Sequence, residues 1–214
     1  MADGEQNVQN KSVVATTGSV ASSLRSRRPS AAVPHVSTFA AEMKIPTEAL
    51  LAMNVLGTMK TKDVVDWAVD SMVAGLDSES LRILAGFDED DSIFELREYF
   101  SKVKSELGLR EPQKDEAVRI YSVHLANAIV ETDSDYVPIV SRLSELCYTN
   151  DYPDFLMEWY SLDDGLADIQ AGSYPFGFQE LYKADPREVA NGVAKAFIEK
   201  QSEPAHPTAG SVQI

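Results

Sequence analysis

Cysteine is nearly absent from this chain: Cys147 is the single thiol in 214 residues, so no internal disulfide can hold the fold and a cross-linked secreted scaffold is excluded. Long apolar runs are missing as well. None approaches the roughly 20 residues that cross a bilayer, and the N-terminal MADGEQNVQN has neither the basic nor the apolar region of a secretory signal. A cytoplasmic protein without a membrane segment is expected. Positive charge is scarce, with 19 Lys and Arg against 34 Asp and Glu. The imbalance is also uneven, since residues 1–60 carry six basic against four acidic side chains and residues 61–214 carry 13 against 30. A surface so acidic repels phosphates, which argues against direct nucleic-acid binding by the globular part and favours basic partners.

What is present is helical periodicity. The stretch Thr61–Leu109 predicts three helices. Thr61 is the expected N-cap of the first, Val65, Val69, Met72 and Val73 its inward stripe, and Gly75 its stop. Ser78 opens a short helix through Leu81 and Leu84 that Gly86 closes as a left-handed cap. Ser92 and Glu95 form the expected capping box of the third, whose apolar set is Phe94, Tyr99, Phe100, Val103 and Leu107, ended by Gly108. A leading helix follows Pro46 and is expected to dock on this unit. Downstream, Pro112 opens a long helix through Ala117, Ile120, Tyr121, His124, Leu125, Ala128 and Ile129. Ser134 opens another with Val137, Val140, Leu143, Leu146 and Cys147 inward. A segment from Pro153 is expected to break near Asp163, Asp164 and Gly165, and Asp185-Pro186-Arg187-Glu188 starts a last helix.

No alternating apolar pattern or Asn-Gly hairpin signal is present, so no strand is expected. The expected fold is all-α, an irregular bundle of about seven or eight short helices over residues 41–200. Residues 1–40, rich in small and polar side chains with Pro29 and Pro34, form an expected disordered tail. It carries a basic cluster of Arg25, Arg27 and Arg28 beside Ser30. Residues 201–214, with Pro204 and Pro207, form a loose C-terminal tail.

Chemistry-bearing patterns are few. No phosphate-binding loop, dinucleotide turn, G-x-S-x-G elbow or paired-cysteine motif occurs, so no catalytic residue is assigned and no cofactor or metal is expected. Asp88, Glu89, Asp90 and Asp91 precede a helix but lack the alternating ligands, glycine and distal glutamate of a calcium loop. An unrecognised carboxylate site, or His124 meeting Cys147 in space, keeps an enzyme open as the alternative. The remaining feature is aromatic: Trp159, Tyr160, Tyr174, Phe176, Phe178 and Tyr182 lie among Asp163, Asp164, Asp168 and Glu180. Aromatic anchors ringed by acids suit recognition of a basic protein. Trp159, Tyr160, Asp163, Asp164 and Asp168 are the expected partner-binding residues.

The runs DWAVDSMVAGLDSESLRILAGFDEDDSIFELREYFSKVKSELGL and FLMEWYSLDDGLADIQAG, over roughly Asp63 to Gly172, resemble a group of small uncharacterised bacterial proteins that are acidic and helical. In general character these are similar to the immunity factors found beside toxin systems. The resemblance implies a helical fold and, more loosely, an inhibitor of a basic partner such as a nuclease toxin; it implies no particular site residue. An acidic, non-enzymatic protein-interaction module is therefore the leading expectation, and a helical adaptor or scaffold is a further alternative.

Overall fold

A computed structural model describes residues 44–88, 91–132 and 135–202. Among them are eight α-helices and no strand: α1 (Thr47–Val55), α2 (Thr61–Val73), α3 (Glu79–Leu84), α4 (Ile93–Leu107), α5 (Lys114–Glu131), α6 (Val137–Thr149), α7 (Met157–Gln170) and α8 (Pro186–Ser202). Single turns of 3-10 helix, Asp154–Leu156 and Gln179–Tyr182, flank α7. No described helix is long and apolar enough to cross a membrane. The expected N-terminal tail, the basic cluster near Ser30, Ser134, Glu89 and Asp90 of the acidic run, and residues 203–214 lie outside the described residues, whereas Gln201 and Ser202 of the expected C-terminal tail belong to α8.

The bundle is organised around α5 rather than around Thr61–Leu109. Helices α1, α6 and α8 all pack on α5, and its buried residues include Ala117, Val118, Tyr121, Ser122, Leu125, Ala126 and Ile129. A helix apolar on nearly every side is a central one, and its weak amphipathicity is why it does not stand out in the sequence. Helix α1 follows the same logic, with Ala49 to Met53 continuously buried; it packs mainly on α5 and only lightly on α2. Helices α2, α3 and α4 form the other layer, and α7 closes over α6.

Helix boundaries depend on a few local bonds. The α2 start is set by Asp63, whose Oδ2 accepts the Lys60 backbone N–H at 2.9 Å, so the cap falls at Lys60, one residue before the expected Thr61. The buried face of α2 is Val64, Trp67, Ala68 and Ser71, while Val69, Met72 and Val73 of the expected stripe are exposed. Both sets recur at helical spacing, and the larger anchor decides between them. The Trp67 ring meets Phe100 edge-on at 5.7 Å, and its Nε1 donates to Thr47 Oγ1 at 3.1 Å, which together outweigh three smaller aliphatics.

Ser78 caps α3 as expected, its Oγ accepting from Leu81 N at 3.2 Å. Glu106 of α4 accepts from the Ser80 N–H and hydroxyl at 3.2 and 2.7 Å. Hydrogen bonds from Ser78 and Ser80 hold the Glu106 carboxyl below its ordinary range, because they favour its ionised form. Ser92 stands at the α4 N-cap without a side-chain bond, so the expected capping box does not form, and Phe94 is exposed while Leu96 takes the inward position. Gly75 and Gly108 adopt φ of 94° and 64° and end their helices as expected, whereas Gly86 stays out of the left-handed region. The α8 start is as expected, Asp185 Oδ1 accepting from Arg187 N at 2.8 Å and Glu188 N at 3.3 Å.

Candidate functional site

Helix α7 separates the expected partner-binding residues by direction. Trp159, Leu162 and Gly165 face inward. Trp159 is 0% exposed and meets Phe197 of α8 edge-on at 5.7 Å, so it is a core residue and cannot anchor a partner. Asp163 is half-buried and turned toward α6, accepting a hydrogen bond from Ser141 Oγ at 2.7 Å. Tyr160, Asp164 and Asp168 are spaced i, i+4, i+8 and therefore form one ridge. On it Asp164 is exposed and the other two are half-buried. The Tyr160 ring lies edge-on to Tyr152 at 5.7 Å. Asp164 first, then Tyr152, push the Tyr160 hydroxyl above its ordinary pKa, which reports a negative field along the ridge.

The helix does not break at Gly165, and the reason for that glycine is a close approach. A Cβ there would lie 2.8 Å from Leu181 Cδ1 and 3.1 Å from Phe178 Cβ, so the returning chain packs directly on the α7 backbone. The reversal begins at Gly172, with φ of 73°, and at the Ser173 N–H, which donates to the Asp168 carbonyl at 2.8 Å. Pro175 and Leu181 are buried and fasten the segment. Phe178 packs partly inward with them, whereas Tyr174, Phe176 and Tyr182 turn outward. Phe176 is 80% and Tyr182 70% exposed, and both gather on Tyr174, at ring separations of 5.0 and 5.2 Å.

From Asn150 to Tyr182 there are seven acidic residues and no Lys or Arg. The face thus combines an exposed aromatic cluster with an excess of negative charge, of which Glu158 is paired with Lys200 of α8 at 3.9 Å. Tyr174, Phe176 and Tyr182 belong to the aromatic group visible in the sequence, but the expected anchors were Trp159 and Tyr160. The signal that separates them is local: SYPFGF is too rich in Gly and Pro to form a helix with a single inward face.

Cys147 and His124 do not share a pocket among the described residues. Cys147 is buried, its Sγ 3.8 Å from Met157 Sδ, and burial raises its pKa, which lowers its thiolate content. His124 lines a different region, a pocket of about 120 Å³ whose wall includes Ile45, Met53, Thr58, Asp63 and Thr132 but not Cys147. Among the described residues no group of three or more His, Cys, Asp or Glu side chains converges as a metal site. No protein-family model matches this chain, and no curated protein and no solved structure matches it either.

Proposed function

We propose that this chain is an acidic, non-enzymatic interaction module that acts in the cytoplasm as an inhibitor or immunity-type factor and binds a basic protein through the α7 face. The observation that carries this reading is the solvent-exposed cluster of Tyr174, Phe176 and Tyr182 within a segment that holds no basic residue. Exposed aromatic clusters are uncommon on proteins that act alone, and Tyr and Phe supply contact area at low entropic cost. Asp164, Asp168 and Glu180 supply the long-range attraction. The loose likeness to acidic immunity factors points the same way, and the chain bears an excess of 15 negative charges, which suits a cationic target.

The two ingredients are expected to act on different rate constants. Replacing Asp164 and Asp168 by Asn and Glu180 by Gln should slow association with the basic partner by about tenfold at low salt and flatten its salt dependence. Phe176→Ala or Tyr182→Ala should instead speed dissociation, by about 30-fold for a buried anchor that contributes 2 kcal/mol. Surface-binding kinetics across a salt series separate the effects. Association that is unchanged by the triple substitution at low salt would remove the acids from the interface.

A further inference from the structure

The pocket between the α1–α2 connection and α5 has a chemistry of its own. Asp63 is only 5% exposed, makes one hydrogen bond, with the Lys60 N–H, and has no ion pair among the described residues. Across the pocket stands His124, its ring stacked on Tyr121 at 6.4 Å and with no hydrogen-bond partner among the described residues. The hydroxyls of Thr58 and Thr132 also line the pocket, and each donates to a carbonyl of its own neighbourhood, Met53 O and Ala128 O. The Thr58 oxygen keeps lone pairs for a visitor. Ile45, Met53, Leu125 and Ala128 provide the apolar wall. The cavity therefore offers several acceptors, one of them an anionic carboxylate, beside a short greasy surface.

From this arrangement we infer that the pocket is a binding site for a small primary ammonium compound, its charged head on Asp63 and its alkyl body against Met53 and Leu125. Burial raises the Asp63 pKa despite the opposing effect of Lys60, and a contacting ammonium would relieve that desolvation. Burial also keeps His124 neutral near pH 7, with a pKa of about 4, so the imidazole accepts an N–H rather than repelling the head. Lys60, also on the pocket wall, opposes the effect of burial on Asp63 through its backbone N–H and then through space, while Asp66 and Lys62 act more weakly and with opposite sign. The side chains of Lys60, Lys62 and Tyr121 form no ion pair or side-chain hydrogen bond with Asp63 among the described residues. A cavity of about 120 Å³ limits the ligand to about five or six non-hydrogen atoms, since an engineered cavity of about 150 Å³ accommodates benzene. The site is separate from the α7 face, and neither depends on the other.

The probe is n-butylammonium chloride, titrated into the full chain labelled with nitrogen-15 against a sodium chloride control. Saturable amide shifts are expected at Thr58, Asp63, His124 and Thr132, at least tenfold tighter than for n-butanol, which matches the body but lacks the charge. Binding should weaken as the pH falls and Asp63, whose carboxyl pKa is raised by burial, gains a proton, and Asp63→Asn should reduce it at least tenfold. Should that variant fail to fold, the comparison with n-butanol decides alone. Absence of saturable shifts up to about 50 mM, a concentration at which even an inefficient ligand of this size registers, would overturn the assignment. Equal binding of n-butanol would overturn it as well, by reducing the site to an apolar void.

Discussion

Trp159→Ala is expected to lower the stability of the helical domain by about 3–5 kcal/mol, the usual cost of emptying a large aromatic site in a core. The ring is 0% exposed and lies where α7 meets α8, edge-on to Phe197. Phe197 in turn stacks on Phe155 at 6.4 Å, and the Arg119 guanidinium of α5 sits 4.2 Å above Phe155. Removing one ring loosens three helices at once. The Trp159 Nε1 is buried without a hydrogen-bond partner among the described residues, a defect that costs about 1–3 kcal/mol. Trp159→Phe deletes that orphaned donor together with part of the ring, so its net cost should stay under about 1.5 kcal/mol. Urea unfolding of both variants checks the pair. A Trp159→Ala protein as stable as the parent would place the ring at the surface, where a partner could reach it.

Acid should destabilise the protein through His124. Its folded pKa of about 4 lies below the ordinary value near 6.5, with burial as the cause, so between those values the unfolded chain binds the proton and the folded chain does not. The stability present above pH 6.5 is therefore lost as pH falls, and the loss is complete below about pH 4. By linkage the full span is worth about 3 kcal/mol, of which 2–3 kcal/mol is expressed at pH 4.5. Asp63 works in the opposite direction, because its raised carboxyl gains a proton more readily in the fold and favours the folded state as pH drops. The difference between the parent and His124→Gln isolates the imidazole. Between pH 7 and pH 4.5 the parent should lose about 2–3 kcal/mol more than the variant by urea midpoints. Equal losses would mean that the ring is solvated and protonated in the folded protein.

Helix identity was legible in the sequence wherever caps and apolar spacing agreed. Ser78, Gly75, Gly108 and the Asp185-Pro186 start all act as their residue types suggest, since each satisfies a local backbone demand that no distant contact overrides. Facing was harder. On α2 two apolar stripes compete, and only the Trp67–Phe100 contact, 33 residues apart in sequence, selects the inward one. At Gly165 a mid-helix glycine beside two aspartates imitates a break, yet its purpose is to admit Leu181 and Phe178, contacts that exist only after the chain returns. Trp159 and Tyr160, adjacent in sequence, differ in role because adjacent helical positions point about 100° apart and Trp159 is the one turned toward Phe197. The acidity of the α7 face was readable directly, because no basic residue interrupts it from Asn150 to Tyr182.

The central claim is that the Tyr174, Phe176 and Tyr182 face receives a basic protein, and site-specific photocrosslinking in the source cell tests it most directly. A benzophenone amino acid is placed at Phe176, and in a second protein at Val73, an equally exposed apolar position on α2. The Phe176 position should yield one dominant adduct with a protein of high isoelectric point. That adduct should be absent from the Val73 position and lost when Asp164, Asp168 and Glu180 are neutralised. No adduct at Phe176, or the same adducts at both positions, would contradict the claim.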